Sequence, residues 1–228
     1  LPDCAPWAPA RLPAGVREAR LGRSPGLWWD GDTLCIQLHA EEPVDRIDTA
    51  AFSLPGPHNR SNLAVALLLA RVGGASVDAL DPGTIDALPH RLQPVHTGNG
   101  LTWINDSKAT NVEAAQIGIG ALAGPAIVLL GGAGKDGADY SVLRPALHTH
   151  ARQVICFGAS GPDIAAALPL PGTRLLDGGL RDAVREARKH ALPGDTILLS
   201  PACASFDEFR NFEHRGEVFT TLARGGQP

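Results

Sequence analysis

Along the chain, the hydrophobic positions pass from scattered to regular. Residues 1–57 are rich in Pro and Gly and carry one clear strand pattern, 33–38, entered through "WWDGD", where Asp30-Gly31 has the composition of a hairpin turn. This stretch reads as the edge of a sheet. Over 59–72 the Ala and Leu positions run almost continuously, as in a mostly buried helix, with Asn59 able to cap its start. A shorter helical pattern covers 76–88. In "PHRLQP", Pro89 and Pro94 both disfavour helix, so the segment reads as a linker or domain entrance.

Beyond it, punctuation is regular. "RLQPVHT", the turn Gly98-Asn99-Gly100 and "LTWIND" form a hairpin pattern that leads into a helix from Val112. Apolar runs at 126–130, 154–157, 174–176 and 196–199 are strand-like; helical patterns lie near 141–151, 161–168 and 180–191, and a last helix is expected over 207–222. Strands alternating with helices of about 10 to 15 residues predict an α/β fold with a Rossmann-like, mainly parallel, doubly wound sheet. In such sheets ligands gather beyond the C-terminal ends of the strands. Three loops therefore stand out, those after Ile104, Leu130 and Leu199.

Composition removes several function classes. With 20 basic and 24 acidic side chains, a net charge of -4 and no basic run longer than two residues, there is no electrostatic footprint for a nucleic acid backbone. The longest apolar run, which includes 64–70 and begins at Leu63, falls far short of the roughly 20 residues a membrane-spanning helix needs. The cysteines Cys4, Cys35, Cys156 and Cys203 are far apart and form no CxxC pair, which suggests neither a zinc site nor a disulfide framework and makes a reducing cytoplasm the simplest setting. A length of 228 residues allows one large domain or two modest ones, at about 150 residues each. There is no Met and the first residue is Leu1, so the expectation is an internal piece of a longer polypeptide or a chain that has lost its N-terminal region.

The loop after Leu130, "GGAGKDGAD", imitates two phosphate motifs. Gly132, Gly134 and Gly137 match GxGxxG between a strand and a helix, but the next strand pattern ends in Gly158, where a dinucleotide site would place its ribose-binding acid. A Walker A loop fails as well, with Leu129 at the position of the first Gly and Asp136 where Ser or Thr would hold magnesium. Lys135 then reads either as a lone cation able to hold a carboxylate or as a solvated loop lysine. The loop after Ile104, "NDSKATN", has more polar side chains than one helix cap uses; with Lys108 beside a helix start it favours an anionic group. The alternative is a helix capped by Thr110 or Asn111 with the remainder solvated. After Leu199, in "SPACASFDEFRNFEHRGEVF", Ser205 or Asp207 can cap the final helix, and Phe206, Phe209, Phe212 and Phe219 recur at spacings that place three or four rings on one face. Most of these rings read as core, and Cys203 reads as buried and inert.

The strings "GPHNRSN", "LPHR", "WINDSKATN", "LLGGAGKDGADYS" and "LSPACASFDEFRNFEHRGEVF", in this order, resemble the Mur ligases, and within them the branch that adds D-glutamate. The resemblance runs over 57–222 and is weaker before that. It implies three domains, of which residues 1–88 would be the remnant of the central ATP-binding domain and residues 89–228 the whole C-terminal Rossmann-like domain, joined by a linker near Pro89 on which the latter swings. The UDP-binding domain, the P-loop and a carbamylated lysine that holds Mg2+ would lie outside these residues, and no GxxxxGK[ST] occurs here. The implied chemistry is ATP-driven: the carboxylate of UDP-N-acetylmuramoyl-L-alanine becomes an acyl phosphate, and the amine of D-glutamate displaces phosphate.

On the family pattern, Asn59 and Asn62 look like adenine-side contacts, and Arg91 and Asp106 like phosphate and ribose contacts. Lys108 would reach the reaction zone with His90 beside it. Thr110, Lys135, Ser205, Phe206 and Phe212 look like the D-glutamate pocket, with a cation and two hydroxyls for carboxylate oxygens and a ring for the carbon stem. Two positions depart from the pattern: Ala133 stands where some members carry an acid, and Phe206 where Leu is common. The resemblance further implies a cytoplasmic monomer that inserts in no membrane and binds no nucleic acid. Two other readings are an isolated module that binds D-glutamate or nucleotide, and an NAD-dependent oxidoreductase.

Overall fold

The computed structural model describes residues 20–22, 24–54, 56–76, 81–86, 88–95 and 100–226. The chain forms two compact units, one of Leu1–Ser53 with His58–Asp86, the other of Leu54–Pro57 with Ala87–Pro228.

In the first unit, β1 (Arg20–Leu21), β2 (Gly26–Asp30), β3 (Thr33–Gln37) and β4 (Asp45–Asp48) form a sheet in that order. The two-residue loop Gly31-Asp32 joins β2 to β3, and Gly31 supplies the positive φ of 60° that such turns require. Where 1–57 reads as the edge of a sheet, its described part forms a four-stranded sheet of its own, with β3 between β2 and β4. The short "DRID" of β4 buries only Ile47, too little apolar signal to announce a strand. α1 (Pro57–Val72) begins two residues earlier than expected, which puts Asn59 inside its first turn and not at its cap, and the Pro at its first position suits a helix start. Leu63, Ala64 and Leu67 pack with Leu27, Leu34, Ile36 and Ile47, whereas Val65, Leu69 and Val72 are exposed, so α1 buries one face only. Of the helix expected over 76–88, the described part holds just a single 3-10 turn, Pro82–Thr84, whose start is capped by the Asp81 carboxylate accepting from the Gly83 amide. Residues 77–80 and 87 lie outside the described residues.

In the second unit six strands, β5 (Gln93–Val95), β6 (Thr102–Asn105), β7 (Ala126–Gly131), β8 (Ala151–Phe157), β9 (Thr173–Leu175) and β10 (Thr196–Leu199), pair in the order β5-β6-β10-β7-β8-β9. All pairings are parallel except β5 with β6, whose register sets Gln93 opposite Asn105. The expected turn residues Gly98 and Asn99 lie outside the described residues. Alternate residues of β7 face opposite cores: Val128 and Leu130 pack under α2 (Val112–Gly120), α3 (Arg144–His150) and α4 (Gly161–Ala167), while Ile127 and Leu129 pack under α5 (Leu180–His190) and α6 (Phe212–Ala223). The doubly wound fold is thus the one the alternation predicts. β10 sits between β6 and β7, so the winding reverses at the centre of the sheet, and the crevice at this switch point is bounded by the loops after β6, β7 and β10.

The last helix starts at Phe212, five residues later than expected. Asn211 caps it by accepting from the His214 amide, because the Ser205 carbonyl takes the amides of Glu208 and Phe209 and turns the preceding segment. The phenylalanines therefore do not all share one helix face: Phe219, buried against Trp103, and Phe209, edge-on to His214, pack in the same core as expected, whereas Phe206 is 74% exposed. Among the described residues no helix is long and apolar enough to cross a membrane.

Candidate functional site

The three loops marked by the sequence come from three adjacent strands. In the loop after β6, the Asn105 amide is oriented by its partners: Oδ1 accepts from the Ser107 amide at 3.1 Å and Nδ2 donates to the Gly216 carbonyl at 2.9 Å. The same Nδ2 lies 3.1 Å from Nδ1 of His90 and 3.1 Å from the Thr220 hydroxyl. A Cβ at position 216 would overlap that Nδ1, so α6 admits the imidazole only as Gly. His90 and Leu92 have φ of 62° and 44°, the left-handed region. Three hydrogen bonds over-determine this strained entrance: His90 N to Gln93 Oε1, Leu92 N to Asp106 Oδ1, and Lys108 N to the His90 carbonyl.

Asp106 is buried, and burial pushes its carboxyl up to about 6 against the opposing effect of the Ser200 hydroxyl, the Leu92 amide and the nearby Arg91 charge. Lys108 is exposed and holds Nζ 4.0 Å from the centroid of the Phe212 ring, which in turn meets His90 edge-on at 6.3 Å. His90, Lys108 and Phe212 therefore form one cluster.

Thr110 and Lys135 line a second feature, a cavity of about 400 Å³ between the start of α2 and the loop after β7. Asn111 caps α2 there, accepting from the Ala114 amide at 2.8 Å. Glu113, Asp136 and Asp139 also line the cavity, and the Ser141 hydroxyl and amide hold the Asp139 carboxyl below its usual range. A cavity lined by one lysine, three acidic side chains and the start of a helix suits a small ligand that carries both signs of charge, such as an amino acid.

Other expected residues stand apart from the cavity. Ser205 is buried, and neither it nor Phe212 lines the cavity; Phe206 and Arg91 are exposed; Asn59, buried, and Asn62, exposed, belong to the first unit. Cys203 is buried with its thiol pushed up by burial, 3.3 Å from the Tyr140 hydroxyl, as an inert core cysteine should be. Gly158 ends the β8 loop as read; the acid nearest its position, Asp207, has its carboxylate taken up by the Ala159 amide. Among the described residues no three His, Cys, Asp or Glu side chains gather as metal ligands would.

The sequence reading passed over Arg215 and the hydroxyls of Ser107 and Ser200. Ser200 donates to Asp106 at 2.8 Å, and Arg215 is fully buried, its charge disfavoured by burial to about 10. A signal existed for Arg215: it stands four residues before Phe219 and therefore on the buried face of its helix, where a charge needs a reason.

A family model described as Mur ligase, glutamate ligase domain, matches residues 90–203. The chain is 44% identical over 199 residues to the UDP-N-acetylmuramoylalanine--D-glutamate ligase of Thiobacillus denitrificans, covering 85% of this chain and 40% of that protein. With the ligase of the same name from Solibacter usitatus it shares 40% identity over 188 residues, covering 80% and 41%. The chain spans about two fifths of the length of these curated relatives. In fold it resembles the MurF ligase of Thermotoga maritima in complex with ADP (TM-score 0.59, 18% identity, 87% of this chain and 46% of that one) and a bifunctional folylpolyglutamate synthase/dihydrofolate synthase from Yersinia pestis CO92 (TM-score 0.60, 20% identity, 86% and 45%). With its doubly wound sheet, its three loops at the switch point and the matched glutamate ligase domain, the chain belongs to the Mur ligase family.

Proposed function

We propose that this chain is the amino-acid-delivering part of an ATP-dependent ligase that joins D-glutamate to UDP-N-acetylmuramoyl-L-alanine during peptidoglycan synthesis. The observation that carries the reading is the cavity that brings Lys135 and Thr110 together at the head of α2, in a chain about 40% identical to ligases of that name. Lys135 and Thr110 hold a carboxylate of D-glutamate, and Glu113, Asp136 and Asp139 attract its ammonium; Ser205, Phe206 and Phe212, which stand outside the cavity, are the further D-glutamate contacts expected on the family pattern. Lys108, held over Phe212, faces the reacting groups with His90 beside it. The amine attacks the carbonyl carbon of the acyl phosphate, loses a proton, and inorganic phosphate leaves as the amide forms. Such a transfer depends on positioning and on neutralising anionic oxygens, which is the work of Lys108 here.

In this reading residues 1–88 belong to the central nucleotide domain, with Asn59 and Asn62 toward adenine, and residues 89–228 are the C-terminal domain, with Arg91 and Asp106 toward phosphate and ribose. The Mg2+ ion implied by the family needs ligands other than the described side chains, and no step is assigned to it. The enzyme works as a cytoplasmic monomer. The test is D-glutamate-dependent phosphate release by a polypeptide that carries these residues within the full length of the relatives. Lys135→Ala should raise the KM for D-glutamate at least about tenfold, the weight of one charge-assisted hydrogen bond, with the KM for ATP within about twofold. An unchanged D-glutamate KM would remove the cavity from this role.

A further inference from the structure

Arg215 is a buried charge that the chemistry above does not use. Its guanidinium donates only to neutral acceptors: Nε to Ser107 Oγ at 2.9 Å, Nη2 to the Ser107 carbonyl at 2.9 Å, and Nη1 to the carbonyls of Cys203 at 3.0 Å and Ala204 at 3.1 Å. The two carboxylates whose charge acts on it are engaged elsewhere, Asp207 with the Ala159 amide and Glu208 with the Leu180 amide. For stability alone an apolar side chain of similar volume would serve as well or better, because a buried ion forfeits its hydration.

What the guanidinium touches gives the reason for it. Ser107 immediately precedes Lys108, and its hydroxyl passes the tie on to the Phe212 carbonyl at 2.8 Å. Ala204 immediately precedes Ser205, and its carbonyl also accepts the Ala133 amide at 2.9 Å, two residues before Lys135. Gly132, at φ 129°, permits that approach, since a Cβ there would overlap the Ala204 carbonyl. The guanidinium thus ties the loops after β6 and β10 directly, and the loop after β7 through the shared Ala204 carbonyl.

We propose that Arg215 is a positioning residue for D-glutamate attachment: its planar fork sets the mutual register of the three loops that present Lys108, Lys135 and Ser205. This rests on the ligase reading above. Lysine cannot take the role, because a single ammonium cannot span Ser107 on one side and Cys203 and Ala204 on the other. In Arg215→Lys, single-residue amide exchange on the 228-residue chain should be at least about tenfold faster at Lys108 and Ala133, with Val128 and Ile197 in the strands unchanged. In the full-length ligase the same change should raise the D-glutamate KM at least about tenfold while leaving the ATP KM within about twofold. Uniform acceleration of loops and strands together, or loops that exchange as before, would overturn the proposal. If Arg215→Lys does not fold, Ser107→Ala removes one acceptor of the fork and is read in the same way, with unaltered loop exchange counting against it. Absence of any D-glutamate dependence in the unmutated ligase would sink the functional reading separately, while the exchange pattern still decides whether Arg215 holds the junction.

Discussion

The ammonium of Lys108 lies 4.0 Å from the centroid of the Phe212 ring, which couples the loop after β6 to the first residue of α6. Such a contact at an exposed site is worth about 0.5–1 kcal/mol and holds a flexible side chain in one direction. Phe212→Leu keeps apolar volume and loses the ring face, so the D-glutamate KM should rise about two- to fivefold with little change in Tm. Phe212→Tyr should behave as the parent. Steady-state kinetics of the two variants, with a thermal melt, check this pair.

Asp106 makes stability depend on pH. Its carboxyl is pushed up from 3.8 to about 6 by burial, so the folded protein holds the proton more tightly than the unfolded chain does. The contribution of Asp106 to stability is therefore fully present at and below pH 4, is lost as pH rises from about 4 to 6, and is absent above that, a change on the order of 3 kcal/mol. Asp106→Asn removes the titration while leaving an acceptor for the Leu92 amide. Denaturant unfolding at pH 4.5 and pH 7.5 should show the variant gaining relative to the parent at the higher pH; an equal difference at both would refute the assignment.

Gly216→Ala is a substitution that helix propensity alone favours by about 1 kcal/mol. Here it should destabilise by about 1–3 kcal/mol, because the new Cβ would overlap Nδ1 of His90 and drive the ring from Asn105. A lower midpoint in chemical denaturation is the expected result.

Glu208 lies outside α5, yet its carboxylate accepts from the Leu180 amide at the start of that helix at 2.9 Å. No side chain of the Gly179 cap position can do this. Glu208→Ala should cost about 0.5–2 kcal/mol, less at high salt, as loss of a charged N-terminal partner does. Unfolding measured at low and at high ionic strength tests both the size and the screening.

Particular elements show what was legible. The run Ala126–Gly131 is apolar without interruption because both faces of β7 are covered, and that pattern, repeated between helical stretches, was sufficient for the fold class. The three loops were legible for the same reason. The start of the last helix was not: Ser205, Asp207 and Asn211 can all cap, and the choice fell to Asn211 once the Ser205 carbonyl was used to turn the chain. β4 was not legible as a strand because it contributes a single buried side chain, Ile47. Asn59 passed from cap to helix interior because Pro57 opens α1.

By itself the sequence determined the alternation of strands and helices, the residue types in the three loops and, through the order of its motifs, the family. Those properties are local, set by periodicity and by neighbours a few positions apart. Only the tertiary structure decided that β10 lies between β6 and β7, that Lys135 and Thr110 share a cavity while Lys108 pairs with Phe212, and that Arg215 is buried under all three loops. The physical reason is distance along the chain: Ser107 and Arg215 are 108 residues apart, and no local pattern records a hydrogen bond of that separation.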